Sequence, residues 1–443
     1  MFRSMGKSTR VDTVKRSTES VPKEYVGRLP DMPSGSSAND KSVATPARLV
    51  HLKVDVPILL VVITLQIIGL VMVFSASYDY SFDLSGDPYR IFSRQLIWLG
   101  IGIVAALFCT FVDYHIWQRL AVPAIVFTIV MLIIVLIGNE VRHGAVRTLL
   151  QGSIQPSELA KIITVIYLAV WLYAKREKLS NISFGLLPLA FILGILGGLI
   201  FIQPDLSAVF TIFILGGLMF FLAGGEIKQI LILLVVAILV GWIVVQINDT
   251  GAARVQNYLL GLKDPTQASY HVRRSLEAFV NGGWVGVGVG KGETKLIGLP
   301  VPPTDSIYAV IGEETGVFGA VFLVILYALL FWRGILVASR APDALGALLA
   351  AGLSLWIAIE AFINMAVMVN LMPFAGNALP FISYGGSNLL VSLAAVGILL
   401  NVSRQSVQNM ENRGRLFGAV VNLRWRDRRR RVSRPYGSTG ADL

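Results

Sequence analysis

The chain has 443 residues, 55% of them hydrophobic and 15% charged, and a formal net charge of +11; its mean hydropathy is +0.68. A soluble domain carries roughly 25% charged residues, so this composition excludes an ordinary soluble protein. The positive charge flanks apolar runs and fills tails with few aromatic residues to stack on bases, which argues against nucleic acid as a partner. Cys109 stands alone and the four histidines are scattered, so no internal disulfide and no zinc spacing exists.

In chain order, residues 1–54 are polar and rich in Ser, Pro, Lys and Arg; they are expected to form a disordered cytoplasmic tail without a cleavable signal peptide. The first apolar run then acts as a signal anchor. Runs of about 20 apolar residues, long enough for a hydrocarbon layer of ~30 Å, recur near 56–77, 95–112, 118–138, 157–174, 186–203, 206–223, 229–247, 306–332, 346–370 and 387–402. In lipid such runs must be helical, because no water satisfies the backbone. The expected fold is an all-α polytopic membrane protein of about ten transmembrane helices over 55–405, with a large extracytoplasmic loop, 248–305, between the seventh and eighth, and a basic cytoplasmic tail at 406–443. Lys175, Arg176 and Lys178, then Lys228, Arg333 and Arg340, and finally Arg404, Arg413 and Arg415 fall on one side when both termini are cytoplasmic. The basic stretch from Arg424 to Arg434 agrees, and reads either as a solvated tail or as attraction to anionic lipid head groups.

The opposite side gathers the polar motifs. Gln155-Pro156-Ser157-Glu158-Leu159-Ala160-Lys161 opens the fourth span, and Glu158 and Lys161 share a helix face. A charge pair in apolar surroundings marks a site or a structural ion pair. Gln203-Pro204-Asp205-Leu206 interrupts the chain between the fifth and sixth spans, with Asp205 as an outer carboxylate or a turn residue. In the long loop Gly282, Gly283, Gly286, Gly288, Gly290 and Gly292 allow close backbone approach. Val285 and Gly292 stand where a Walker A loop needs Gly and a hydroxyl residue, so the stretch is an irregular turn or a backbone cradle for a lipid-linked phosphate. Pro300, Pro302 and Pro303 stiffen the approach to Thr304-Asp305-Ser306, where Asp305 either caps the eighth span or presents a carboxylate for proton transfer. The last outer loop, 371–386, leads into Ser383-Tyr384-Gly385-Gly386-Ser387. Hydroxyls and amides at a helix start favour anions, while small residues serve helix packing equally well.

The order QPSELAK, QPDL, a Gly-rich stretch ending LPxxxTD, GEE and LPFISYGGS, with Asp55, Ser75 and Ser77 in the first span, closely resembles the FtsW/RodA/SpoVE family over about 55–405. Two departures are visible: Gly144-Ala145-Val146-Arg147-Thr148 replaces the family's Arg-Arg-Trp, and Val301-Pro302-Pro303 replaces its Glu-Ala-His. The resemblance implies a glycosyltransferase of the bacterial cytoplasmic membrane that polymerises lipid II into peptidoglycan strands at the outer face, partnered by a class B penicillin-binding protein. Gly312 before Glu313-Glu314, and Lys295, lean toward the family's division branch. It also implies Asp305 as the catalytic carboxylate and Glu158, Lys161 and Asp205 as polar cavity residues. The departing pyrophosphate needs positive charge, expected from Lys161, Arg147, Arg254 and Lys295 or from a divalent cation, Mg or Mn, held by carboxylates; Ser383, Gly385, Gly386 and Ser387 complete the expected substrate site. The donor is already activated, so no nucleotide is needed. A lipid II transporter, which often shows repeated halves and exposes its site alternately to both sides, and a non-enzymatic division scaffold, which would not require Asp305, are the competing readings.

Overall fold

A computed structural model describes residues 54–138, 155–247 and 249–407. The expected tails fall outside these residues apart from Val54, Ser406 and Val407, and so does Arg147. The ten apolar runs are helices α1 (Val56–Ser85), α2 (Arg90–Phe111), α3 (Ile116–Gly138), α4 (Pro156–Lys175), α5 (Leu186–Ile202), α6 (Leu206–Leu222) and α7 (Ile227–Ile247), then α10 (Ile307–Ser339), α11 (Ala344–Met368) and α12 (Gly386–Val407). Seven are long and apolar enough to cross a membrane by length and composition; α5, α6 and the described part of α7 are shorter. The long loop is not irregular throughout: it contains α8 (Asp249–Lys263) and α9 (Tyr270–Gly282).

Short polar side chains set the helix starts, because the first amides of a helix have no partner within it. Asp55 accepts from the Ile58 amide at 3.2 Å and Asp343 from the Gly346 amide at 2.7 Å. Asp205 accepts from the Ala208 amide at 3.3 Å, and Pro156 is the first residue of α4. α1 runs to Ser85 rather than stopping near 77, because Gly86, left-handed at φ 71, is the residue that ends it. α4, α11 and α12 form the interior, whereas α2 and α7 expose most of their leucines, isoleucines, valines and phenylalanines, as lipid-facing helices do. Midway along the interior, a Cβ on Gly352 of α11 would lie 2.8 Å from both Val165 of α4 and Met219 of α6, so these three helices meet there without a gap.

α10 is not one continuous helix. Gly316 takes φ 69 and ψ −172, a conformation only glycine adopts readily, and the helix breaks there. The loop of 283–292 fills the break. The Val317 and Phe318 amides donate to the Gly283 and Trp284 carbonyls at 2.9 and 3.2 Å, and the Val287 and Gly288 amides donate to the Glu313 and Glu314 carbonyls, each at 3.0 Å. A Cβ on Gly286 would stand 2.3 Å from the Glu314 carbonyl oxygen, so the contact requires glycine.

At the end of the bundle away from these motifs, Arg333 pairs with Asp55 at 2.6 Å. Nearby, His115 in the α2–α3 turn lies between two carboxylates, Nδ1 2.6 Å from Asp113 and Nε2 2.8 Å from Asp343. Gln405 of α12 also donates to Asp113 at 2.9 Å, so one cluster ties the turn to α11 and α12. Burial alone would raise the Asp113 pKa, yet the hydrogen bonds from Gln405 and His115 hold it down at about 2. Burial alone would lower the His115 pKa, yet its bonds to Asp113 and Asp343 raise it above its ordinary value. A group whose folded pKa is raised stabilises fully below its unfolded pKa and loses that contribution as pH rises through the folded value. The melting temperature in detergent should therefore be higher near pH ~6 than near pH ~8.5. His115→Asn should flatten that difference; an unchanged slope in the variant would remove His115 as its source.

Candidate active site

The interior holds a buried charge cluster. Lys161, with 1% of its side chain exposed, lies between Glu158 at 2.9 Å and Glu360 of α11, with which it makes a short ion pair. Asn388 of α12 donates to Glu158 Oε2 at 2.8 Å, an oxygen that Lys161 also contacts. Burying one ammonium is costly unless it is paired and hydrogen-bonded, and here the partners come from three helices. Sequence reasoning paired Lys161 with Glu158 alone; Glu360 makes the cluster one ammonium facing two carboxyls.

A continuous polar chain leads from this cluster to Asp305. Ser157, beside Glu158, donates to Asp205 at 2.9 Å, and the Gln155 side chain reaches the same carboxylate at 3.2 Å. The Gln155 amide donates to Ser387 Oγ at 2.9 Å, fixing α4 against the start of α12. Ser207 bridges Asp205 Oδ1 at 3.0 Å and the Gly376 carbonyl at 3.3 Å. A Cβ on Gly376 would come 2.8 Å from Asp305 Oδ2, so the Asp305 carboxylate lies against this residue. Asp305 itself is only partly exposed. It does not occupy the N-cap position of α10; Ser306 does, its hydroxyl donating to the Pro300 carbonyl at 2.7 Å.

The loop of 371–386 is anchored beside Asp305. Ser383 Oγ donates to the Thr304 carbonyl at 2.7 Å and accepts from the Leu379 amide at 2.7 Å, while the Tyr384 amide donates to the Pro303 carbonyl at 2.7 Å. The Ser383 hydroxyl is therefore engaged within the protein. A Cβ on Gly386 would collide with the Trp98 ring at 2.3 Å, so its small size serves packing; beside Gly385 the nearest atom is Asn388 Cβ at 3.6 Å. On the far side of the loop, Arg254 of α8 stacks over Phe374 at 5.6 Å and His271 of α9 lies against the same ring at 4.3 Å. Burial and the adjacent Arg254 lower the His271 pKa, keeping the imidazole neutral near physiological pH. Arg254 and Asp305 thus flank the short run 374–376.

Lys295 belongs to a second cluster. Its ammonium binds Glu314 at 2.6 Å and Ser75 Oγ at 2.7 Å, with 5% of its side chain exposed. Glu313 accepts from the amides of Glu293 and Thr294, each at 3.1 Å, and Glu314 accepts from the Gly290 amide at 2.9 Å. The Gly-rich loop therefore cradles the protein's own carboxylates, not a lipid-linked phosphate, because amides turned toward Glu313 and Glu314 leave the anion site already filled. Among the described residues no group of three or more His, Cys, Asp or Glu side chains is placed to hold a metal ion.

The profile of the FtsW/RodA/SpoVE family, described as a cell cycle protein, matches residues 56–408. The chain belongs to the FtsW/RodA/SpoVE family. Among its relatives is a probable peptidoglycan glycosyltransferase FtsW of Trichlorobacter lovleyi, 39% identical over 354 residues that cover 79% of this chain and 93% of that protein. Stage V sporulation protein E of Bacillus subtilis is 37% identical over 364 residues, 80% of this chain and 98% of that protein. Among solved structures, a peptidoglycan synthase complex that coordinates polymerization and crosslinking contains a chain matching with a TM-score of 0.66 and 26% identity, covering 80% of this chain and 99% of that one. The rod shape determining protein RodA of Thermus thermophilus matches with a TM-score of 0.60 and 25% identity, covering 80% and 98%.

For this member of the FtsW/RodA/SpoVE family, the polar chain unites Glu158, Lys161, Asp205, Ser387 and Asp305 and places Ser383, Gly385 and Gly386 beside them. Lys295 sits in the second cluster, and Arg254 borders the loop from outside. Sequence reasoning missed Glu360 and Asn364, although two polar residues one turn apart in the apolar α11 are a signal in themselves. Replacing Lys161 with Met strands two buried carboxyls and should cost about 3–5 kcal/mol, seen as a lower melting temperature in detergent. Adding Glu158→Gln should restore only part of the loss, because the Glu360 carboxyl stays buried without its ammonium partner; adding Glu360→Gln as well should restore most of it. A double variant as stable as the triple would show that Glu360 does not share the cluster.

Proposed function

We propose that the chain is a peptidoglycan glycosyltransferase that polymerises lipid II into glycan strands at the outer face of the bacterial cytoplasmic membrane, working with a class B penicillin-binding protein. The reading is carried by one observation: a partly exposed carboxylate, Asp305, stands at the mouth of a polar chain whose Ser157, Glu158, Lys161, Asp205 and Glu360 are buried among apolar helices. Relatives named for this activity, and the likeness to a chain of a peptidoglycan synthase complex, support it.

Glycan extension requires an acceptor hydroxyl to attack the anomeric carbon of a donor that carries a lipid pyrophosphate. The new C–O bond forms as the bond to pyrophosphate breaks, with inversion at carbon, and Asp305 takes the hydroxyl proton. The pyrophosphate leaves with negative charge that fixed cations stabilise. Arg254, partly exposed beside Phe374, is suited to this contact, and Arg147 is the second candidate. Lys161 is enclosed by carboxyls and acts by holding α4 and α11 in place. The lipid tails would lie along the exposed apolar helix faces.

Both termini face the cytoplasm in this reading, because the short connections that carry Lys175, Arg176, Lys178, Lys228, Arg333 and Arg340 lie at the end opposite Asp305. In a background without Cys109, a cysteine at Gln267 should react with an impermeant reagent on intact cells and one at Gly437 should not. The reverse pattern would overturn both topology and mechanism. The decisive test is Asp305→Asn, which preserves size and removes the base. Purified variant should lose roughly 10²–10⁴-fold of lipid II polymerisation, read on gels of glycan product, with a melting temperature near the parent's. A stable and active variant would remove Asp305 from catalysis.

A further inference from the structure

Asp305 is held from behind by a residue with no role in the scheme so far. Asn364 lies on α11, one helical turn beyond Glu360 and on the same face. Its side chain is fully buried, and its Nδ2 donates to two backbone carbonyls, that of Asp305 at 2.9 Å and that of Asn377 at 2.5 Å. Those carbonyls belong to the two segments that meet at the site: the Pro-stiffened approach to α10, and the 371–386 loop whose Gly376 lies against the Asp305 carboxylate. Two carbonyl acceptors fix which end of the amide faces them, because only the NH2 end can donate. Asn364 Oδ1 is left buried without a hydrogen-bond partner among the described residues, and so is Asn377 Nδ2. Unsatisfied buried polar atoms of this kind are uncommon and costly. An apolar residue would avoid the unpaired Oδ1 but leave the two carbonyls without this donor, so the amide is explained by what it binds and not by packing alone.

We propose that Asn364 is a positioning residue for the catalytic carboxylate. Its amide clamps the backbone of Asp305 to the backbone of Asn377 and so fixes the distance between the Asp305 carboxylate and the loop that lies across from it. α11 then registers both halves of the site. Glu360 receives Lys161, and Asn364, one turn nearer the mouth, receives Asp305. The clamp rests on the reading of Asp305 as the base. It deepens that reading by assigning the precision of proton transfer to an interior helix instead of to the loop that carries the base.

Asn364→Ala removes both donors. Misplacement of a reacting group by about 1 Å costs on the order of 10²-fold in rate, and a loss approaching that size is expected in kcat for lipid II polymerisation, with KM little changed. Asn364→Asp supplies a second readout. The introduced carboxyl keeps the shape of the amide but can donate to a carbonyl only while protonated. Its kcat should fall as pH rises over roughly pH 6–9, opposite in sense to the demand of a base that must be ionised to act. A merely structural asparagine would not generate that dependence. Both variants are assayed as full-length protein beside Asp305→Asn, with melting temperatures for each. Near-parent kcat in Asn364→Ala, or a loss matched by a collapse in melting temperature together with a pH-independent Asn364→Asp, overturns the clamp. If Asp305→Asn is inactive while Asn364→Ala is fully active, the clamp alone fails. If Asp305→Asn is active, the base assignment fails first and the clamp with it.

Discussion

Lys161 carries a full charge at a depth where its side chain is 1% exposed. In an apolar interior such a charge is tolerable only with close partners, and the partners it has come from elements far apart in the chain: Glu158 on its own helix, Glu360 on α11, and through Glu158 the amide of Asn388 on α12. This requirement draws α4, α11 and α12 into one interior. With those three fixed, the starts of α4 and α12 meet through Gln155 and Ser387, α6 is held through Ser157 and Asp205, and Asp305 comes to the end of the resulting chain. Removing the ammonium would leave a set of negative groups that repel each other, so the ion cluster defines the arrangement as much as it stabilises it.

The second constraint is the break in α10. A helix interrupted at membrane depth exposes amides and carbonyls that lipid cannot satisfy. Here the loop of 283–292 supplies the missing partners, and the two carboxylates on the short N-terminal segment of α10 take up the loop's remaining amides. The glycines serve close approach, most plainly at Gly286 and Gly316, where any side chain would meet backbone. Because that short segment begins just after Asp305, the loop and the break together set the direction in which the segment carrying Asp305 enters the bundle.

Much of this was legible in the sequence, and what was not shares a physical cause. The apolar runs announced the helices, because in lipid the length of a run and the nature of its residues decide the matter almost alone. Glu158 and Lys161 were legible as a pair since three residues in a helix fix their shared face, and Asp205 was legible from the Pro-Asp interruption. Glu360 was not, because it meets Lys161 from 199 residues away, and no local pattern encodes that distance. The same holds for the Gly-rich loop. Its backbone was rightly read as open to close approach, but what approaches it is Glu313 and Glu314, a tertiary fact. Asp305 was placed correctly at the start of its helix, and of its two readings the cap falls to Ser306.

The close meeting at Gly352 has a consequence for permeability. The polar chain descends from Asp305 to Lys161 and Glu360 and stops; beneath it Val165, Leu168, Leu172, Leu349 and Leu353 are all buried to within 1% of full enclosure or better. Gly352 brings α11 against Val165 and Met219 at that level, closing the interior with hydrocarbon. The polar chain thus ends against packed hydrocarbon. On the reading of Asp305 as the base, a proton it accepts would leave by the partly exposed mouth, because among the described residues the chain meets this hydrocarbon before the other end of the bundle. An enzyme closed in this way would handle charge at one face of an energised membrane without opening a path across it.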